Sequence, residues 1–207
     1  MKNVHLVDHP LLKHSLTILR DKNTGTEKFR HHAGIVSQIM ILEAIKDVPM
    51  FEEKIETPVA PIKGFCIQES IVFVPVLRAG ISMLSPARDF LPWTSVGFIG
   101  LERDEETAIA REYYQKFPRS LKDKRVLVLD PMLATGGSLI DTILALEQKG
   151  AMNISAVCIV AAPEGIELLQ RKFPNVHIYL AAIDSHLNEQ KYIVPGLGDF
   201  GDRYFGT

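Results

Sequence analysis

The chain has 207 residues, a mass of 23.1 kDa, a formal net charge of -2 at pH 7 and a sequence pI of about 6.4. Hydrophobic residues make up 46% and charged residues 23%, which fits one core-forming domain, argues against disorder, and supplies no overall basic footprint for a nucleic-acid or anionic-membrane partner. Two cysteines, Cys66 and Cys158, cannot build a disulfide framework, no Cys-x-x-Cys is present for structural zinc, no 18-residue apolar run appears, and His5, Asp8, His9, Lys13 and His14 occupy the place of a signal-peptide core; the expectation is a soluble, cytoplasmic protein.

Residues 1 to about 60 read as a helical part. Leu11, Leu12, Leu16 and Leu19 recur at helical spacing, and so do Ile35, Ile39, Leu42 and Ile45, with Gln38, Glu43 and Lys46 off that stripe. Asn23-Thr24-Gly25 reads as the turn between them. A core follows over about 70–185. Ile71 to Val74 reads as a buried strand ended by Pro75, Gly80 to Leu91 as a helix stopped by Pro92, and Val96 to Leu101 as a second strand. Arg125 to Leu129 is a third strand, followed by a helix over Ser138 to Lys149 with Gly150 at its C-terminal end. Ile154 to Ala161, Glu164 to Phe173 and His177 to Ile183 complete the alternation as strand, helix and strand. The segment over about 186–207 is rich in Gly and Pro and has no period. Short apolar strands alternating with helices predict an α/β fold with a parallel sheet covered on both faces, in a single domain over 1–207. Ligands in such folds bind beyond the carboxyl ends of the strands, so chemistry is sought after Val76, Leu101, Leu129 and Ile183.

The strongest candidate follows Leu129. A buried strand ends in Asp130, a short loop of Pro131, Met132, Leu133 and Ala134 follows, and Thr135-Gly136-Gly137-Ser138 opens a helix. Glycines let backbone N–H groups approach an anion, and a helix N-terminus supplies unpaired donors and a positive dipole end. Thr135 and Ser138 add hydroxyls. The plainer alternative is a strand-end Asp and an N-capping Thr or Ser. A carboxylate one loop from a phosphate cradle suits a sugar phosphate, because it can accept hydrogen bonds from two vicinal hydroxyls. No G-x-x-x-x-G-K-[ST] occurs, which removes the Walker A reading.

This segment resembles the 5-phosphoribosyl 1-diphosphate (PRPP) motif of type I phosphoribosyltransferases. Pro131 stands where most of that superfamily has a second acid, a departure shared with the uracil phosphoribosyltransferase branch. The resemblance implies that residues 130–138 bind PRPP and that Asp130 alone serves the ribose. Pro75-Val-Leu-Arg78-Ala-Gly80 is similar to that family's pyrophosphate loop, which gives Arg78 the leaving diphosphate; read alone, Arg78 is as readily a surface arginine. Arg103-Asp104-Glu105-Glu106-Thr107, followed by Tyr113-Tyr114, is similar to the family's flap, with Arg103 reaching the diphosphate on closure. Without the resemblance that run reads as a solvated charged face.

Gly196-Leu-Gly-Asp-Phe-Gly201 formally matches the dinucleotide G-x-G-x-x-G but has no room for a following helix and strand, and Asp199-Phe200-Gly201 lacks the preceding catalytic segment of a kinase. Tyr192-Ile193-Val-Pro195-Gly-Leu-Gly198-Asp199-Phe200-Gly201-Asp202-Arg203 resembles instead the uracil-binding signature of the same family, with Phe200 in place of a small residue. The resemblance implies uracil readout by the backbone of Ile193 and Gly198 to Phe200. It places Asp199 near PRPP and the metal, and makes it the candidate base. It further implies uracil, UMP and diphosphate as ligands and Mg2+ as cofactor, held mainly by PRPP with Asp199 as the one protein group near it. A homodimer or homotetramer and a GTP effector are also among its implications. The fold it implies carries N-terminal helices, a flap and a C-terminal base-binding hood. The catalytic set is then Asp130, Arg103 and Asp199. Two other readings are a regulatory nucleotide sensor that binds RNA and a purine-specific phosphoribosyltransferase.

Overall fold

Strands made of consecutive apolar residues must be covered on both faces. The computed structural model, which describes residues 3–103 and 110–207, achieves this with three layers. In chain order the elements are β1 (Val4–Leu6), α1 (Pro10–Arg20), α2 (Thr26–Ala44), β2 (Met50–Glu56), β3 (Pro61–Ile67), β4 (Ile71–Leu77), α3 (Ile81–Phe90), β5 (Ser95–Val96) and β6 (Phe98–Arg103). They continue as β7 (Ala110–Lys116), β8 (Arg125–Leu129), β9 (Met132–Leu133), α4 (Gly137–Gln148), β10 (Asn153–Ala161) and α5 (Pro163–Lys172). The chain closes with β11 (His177–Ile183), β12 (His186–Leu187), β13 (Ile193–Val194) and α6 (Phe200–Phe205).

The main sheet runs β1-β11-β10-β8-β4-β6-β7, parallel throughout except where β7 returns antiparallel to β6. Alternate residues serve opposite layers. Ile71, Phe73, Leu127, Leu129, Val157 and Ile159 share a core with α1, α2 and α3, while Val72, Val74, Val126, Val128 and Cys158 share the other with α4 and α5. Each crossover therefore lays its helix on a face that the strand pattern already demands.

Four expectations require correction. Pro75 does not end its strand: β4 runs through it to Leu77, with Pro75 in register with Leu129. The helical part ends at Ala44, and residues 50–67 form an antiparallel hairpin, β2 paired with β3, that is mostly exposed. Glu52, Glu53, Lys54 and Glu56 break its apolar alternation, so no period of two survives in the sequence. In α2 the buried face is Phe29, Ala33, Val36, Met40, Ile41 and Ala44, whereas Leu42, on the expected stripe, is 53% exposed. That helix is apolar around much of its circumference, which leaves periodicity without a clear direction. The tail is not all loop: Asp199 caps a short α6 through the Asp202 N–H at 2.8 Å, and Gly206 ends it at φ +79°. Six residues are too few to reveal a 3.6-residue period. The first helix follows expectation on three of its four leucines, with Leu12, Leu16 and Leu19 buried and Leu11 exposed.

Candidate active site

The parallel register brings the carboxyl ends of β4, β8, β10 and β11 to one edge. Beyond β8 the chain keeps to the sheet. Asp130 N–H donates to Val157 O at 3.2 Å, Pro131 O accepts from the N–H groups of Ile159 and Val160 at 3.0 and 3.1 Å, and β9 then rejoins β10. Pro131 is thus turned into the sheet, while Asp130 faces the cavity after it. The Asp130 carboxylate accepts one backbone bond, from Met132 N–H at 3.2 Å. Its enclosure by protein pushes its pKa up to about 6, since burial penalises the charged form and one hydrogen bond offsets little of that. Burial and the nearby Asp130 charge also push the Cys158 thiol well up, so Cys158 behaves as a small core residue.

The loop ends in a left-handed Gly136, φ +86°, which turns the chain into α4. The first bond of that helix runs from Ile140 N–H to Gly136 O at 3.0 Å, so the N–H groups of Gly137, Ser138 and Leu139 precede the ladder and point at the cavity end of the helix. Asp130 and Met132 through Leu139 enclose a cavity of about 60 Å³. Sequence reasoning missed the residue that allows this loop to lie so close to α5. A Cβ on Gly165 would run into Ala134 O and come within 3.0 Å of Leu133 Cδ1. The signal was present as a glycine in the first turn of a helix, where it costs stability relative to alanine.

Arg78 lies at the same edge, beyond β4. The Leu77–Arg78 peptide is cis. The Arg78 side chain reaches toward the tail, with Nη2 at 3.8 Å from Asp202 Oδ1 and the guanidinium 5.8 Å from the Phe205 ring centroid. Arg103 ends β6; its side chain, and the flap expected over Asp104 to Thr107, lie outside the described residues.

The tail forms a second cleft of about 290 Å³, bordered among others by Tyr192, Ile193, Gly198, Asp199 and Phe200. Met132 and Ala134 border both cavities. Ile193 is fixed by pairing with Leu187, the Val194–Pro195 peptide is cis, and Gly196 and Gly198 take φ of +61° and +81°. The Phe200 ring is buried, edge-to-face on Phe29 at 5.0 Å and stacked on Tyr204. The unusual residue in the signature therefore serves the core. One Asp199 oxygen is engaged in capping α6.

The cradle, the arginine after β4 and the tail cleft thus meet at one sheet edge. The model of the family described as "Uracil phosphoribosyltransferase" matches residues 6–207. The chain belongs to that family. A curated relative named uracil phosphoribosyltransferase, from Shouchella clausii, is 48% identical over the full length of both chains. The solved structure of the AQ2163 protein from Aquifex aeolicus is similar with a TM-score of 0.93 at 38% identity, covering 99% of this chain and 98% of that one. A hypoxanthine phosphoribosyltransferase from Staphylococcus aureus shares the fold at a TM-score of 0.52 and 14% identity, covering 81% of this chain and 85% of that one. The α/β architecture is accordingly that of type I phosphoribosyltransferases. No helix among the described residues is long and apolar enough to cross a membrane.

Proposed function

We propose that the chain transfers the 5-phosphoribosyl group of PRPP to N1 of uracil, giving UMP and diphosphate. The observation that carries the reading is the shared wall of Met132 and Ala134 between an anion cradle and the tail-loop cleft. A 5′-phosphate on the Thr135–Ser138 amides directs the sugar past Asp130 toward the base cleft. Asp130 accepts hydrogen bonds from the two ribose hydroxyls. It also opposes the positive charge that develops on the ribose as the C1′–O bond to diphosphate lengthens. Arg78 and Arg103 take the charge that leaves, which makes the catalysis chiefly electrostatic. Uracil N1 forms the new bond to C1′ and gives up its proton. Asp199, the carboxylate bordering the base cleft, is the group assigned to receive it. Backbone amides around Ile193 and Gly198 to Phe200 pair with the alternating C=O and N–H groups of uracil. Cytosine would present a donor where uracil presents an acceptor, and an unpaired buried group costs about 1–3 kcal/mol.

Magnesium suits this donor set. Asp199, which borders the base cleft and spends one oxygen on the Asp202 N–H, is the protein carboxylate this reading places near the ion. Mg2+ typically keeps waters and takes one or two carboxylates with substrate phosphate oxygens. Bound with PRPP, it would neutralise charge on the departing diphosphate. The assay is turnover of PRPP and Mg2+ with uracil, cytosine, hypoxanthine and guanine, with and without GTP to read an effector. Turnover with uracil alone is expected. Turnover confined to purines, or none with any base, would defeat the reading and favour the purine enzyme or the sensor.

We also propose that the hairpin of β2 and β3 docks on a second copy of the chain. Met50, Phe51, Ile55, Ile62 and Phe65 are exposed on it, more apolar surface than an isolated hairpin keeps in water. The mass in solution is expected to be a multiple of 23.1 kDa. Phe65→Lys, at a site 66% exposed here, is expected to lower it toward one chain without loss of secondary structure. A monomeric wild-type chain would refute the assembly.

A further inference from the structure

Neither Arg20 nor Asp184 borders the base cleft, yet both grip the loop that forms it. Asp184 follows the last residue of β11, and its backbone N–H is held by Ala161 O at 2.8 Å. Its side chain is 4% exposed. One carboxylate oxygen accepts from Arg20 Nη2 at 2.6 Å; the other accepts from Arg20 Nη1 and from Gly196 N–H, each at 2.8 Å. Arg20 Nη1 also donates to Gly196 O at 2.7 Å. Gly196 is therefore held on both sides, its N–H by the acid and its C=O by the base.

This residue lies between Ile193 and Gly198 to Phe200, the two backbone segments assigned to uracil. Its left-handed φ of +61° and the collision of any Cβ with Ile193 O reserve the position for glycine, so only these hydrogen bonds, and no side chain of its own, hold it. A second tie runs in the opposite direction. Arg203, in α6, donates to Leu197 O and Asp21 O, both at 2.7 Å, and to Leu19 O, and its guanidinium lies 4.5 Å above the Phe29 ring centroid. The carboxyl end of α1 is thus tied into the tail from both partners. A bidentate, charge-assisted pair is well suited to fixing a backbone unit, because the fork has one geometry.

We propose that Arg20 and Asp184 are positioning residues for the base. Through Gly196 they set the spacing between the two backbone segments that read uracil, and so the affinity for uracil. The proposal rests on the uracil reading above. The phosphate cradle, which shares none of these contacts, is left alone.

The test is steady-state kinetics on Asp184→Asn and Arg20→Lys in the full chain, with each substrate varied in turn. Asparagine keeps the shape but turns an acceptor into an N–H donor facing other donors; lysine keeps the charge but loses the fork. A KM for uracil raised about tenfold or more is expected for Asp184→Asn, with a smaller rise for Arg20→Lys and the KM for PRPP within about twofold of wild type. An unchanged uracil KM in both variants, or equal rises for uracil and PRPP, overturns the proposal. If Asp184→Asn does not fold, Arg20→Lys alone decides by the same comparison. Wild-type turnover of uracil in the same experiment separates failure of this inference from failure of the uracil reading.

Discussion

Asp130→Asn is expected to lower kcat/KM for PRPP by about 100-fold or more while leaving the fold intact and making it slightly more stable. Asparagine is isosteric and keeps an oxygen for the Met132 N–H. It loses the charge that opposes the developing ribose cation and one of the two acceptors for the vicinal hydroxyls. The stability change follows from the carboxyl pKa, raised by burial from 3.8 to about 6. The folded chain binds that proton more tightly than the unfolded chain. Asp130 therefore adds stability below pH 3.8, and the contribution is lost as pH rises through about 6. At pH 7 the ionised, half-buried carboxylate carries a desolvation cost of at most about 3 kcal/mol, reduced by the water that reaches it. A neutral amide escapes only part of this, since it too must be buried, so a gain of about 1 kcal/mol and 2–4 °C in Tm is expected.

The same ionisation sets the pH dependence of catalysis. kcat/KM for PRPP in the wild type is expected to fall below pH about 6, because a protonated Asp130 cannot serve both hydroxyls. Asp130→Asn should lack that acidic limb. Near-normal turnover in the variant would remove the ribose role from Asp130. A variant both inactive and less stable would mean that the carboxylate holds the loop rather than the substrate.

The division between what the sequence disclosed and what it concealed follows the range of the interactions. Strands such as Arg125–Leu129 and His177–Ile183 are legible because burial on both faces demands an unbroken apolar run, and both occur at the expected residues. The cradle is legible because strand, acid, loop, glycines and helix are contiguous, so that local order alone assembles it. The Arg20–Asp184 pair is not, since its partners lie 164 positions apart and each alone is an ordinary charged residue. Gly165 is hidden for the same reason: its neighbour Ala134 belongs to a different crossover. The hairpin over residues 50–67 failed differently. Its charged residues stand on an arm that packs little against the rest of the chain, and they erase the alternation by which strands are found. The tail's sequence advertised the base loop only through the family resemblance, as backbone readout leaves few side-chain marks.

The second large effect is expected at Gly80, where stability and activity should fall together. Gly80 has φ -60° and ψ -21°, a backbone any residue adopts, so the demand is for space alone. A Cβ there would sit 2.6 Å from Val76 N and 2.7 Å from Val76 O, and would overlap Leu129 O. All three atoms are backbone at the ends of β4 and β8, which pair as far as Pro75 and Leu129; Val76 O already accepts the Gly80 N–H at 2.8 Å, and no rotamer change can relieve them. Gly80→Ala must therefore spread the two strands that deliver Arg78 and Asp130, or lift the turn between β4 and α3. Overpacking of this kind costs about 3 kcal/mol, which for a chain of this size lowers Tm by about 6–12 °C. A displacement of about 1 Å between Arg78 and Asp130, the groups proposed for diphosphate and ribose, is enough to cost about 100-fold in kcat/KM. Gly25→Ala is the control, because nothing lies within 4 Å of its Cβ position and the loss of a glycine N-cap costs no more than about 1 kcal/mol. Thermal melts and kinetics on the two variants read the difference. A Gly80→Ala protein that melts and turns over like wild type would mean that β4 and β8 are not held as closely as these contacts require. The opposite signs expected in Tm for Asp130→Asn and Gly80→Ala, with activity falling in both, distinguish a residue kept for chemistry at a cost in stability from one kept because two strands must touch for the chemistry to be assembled.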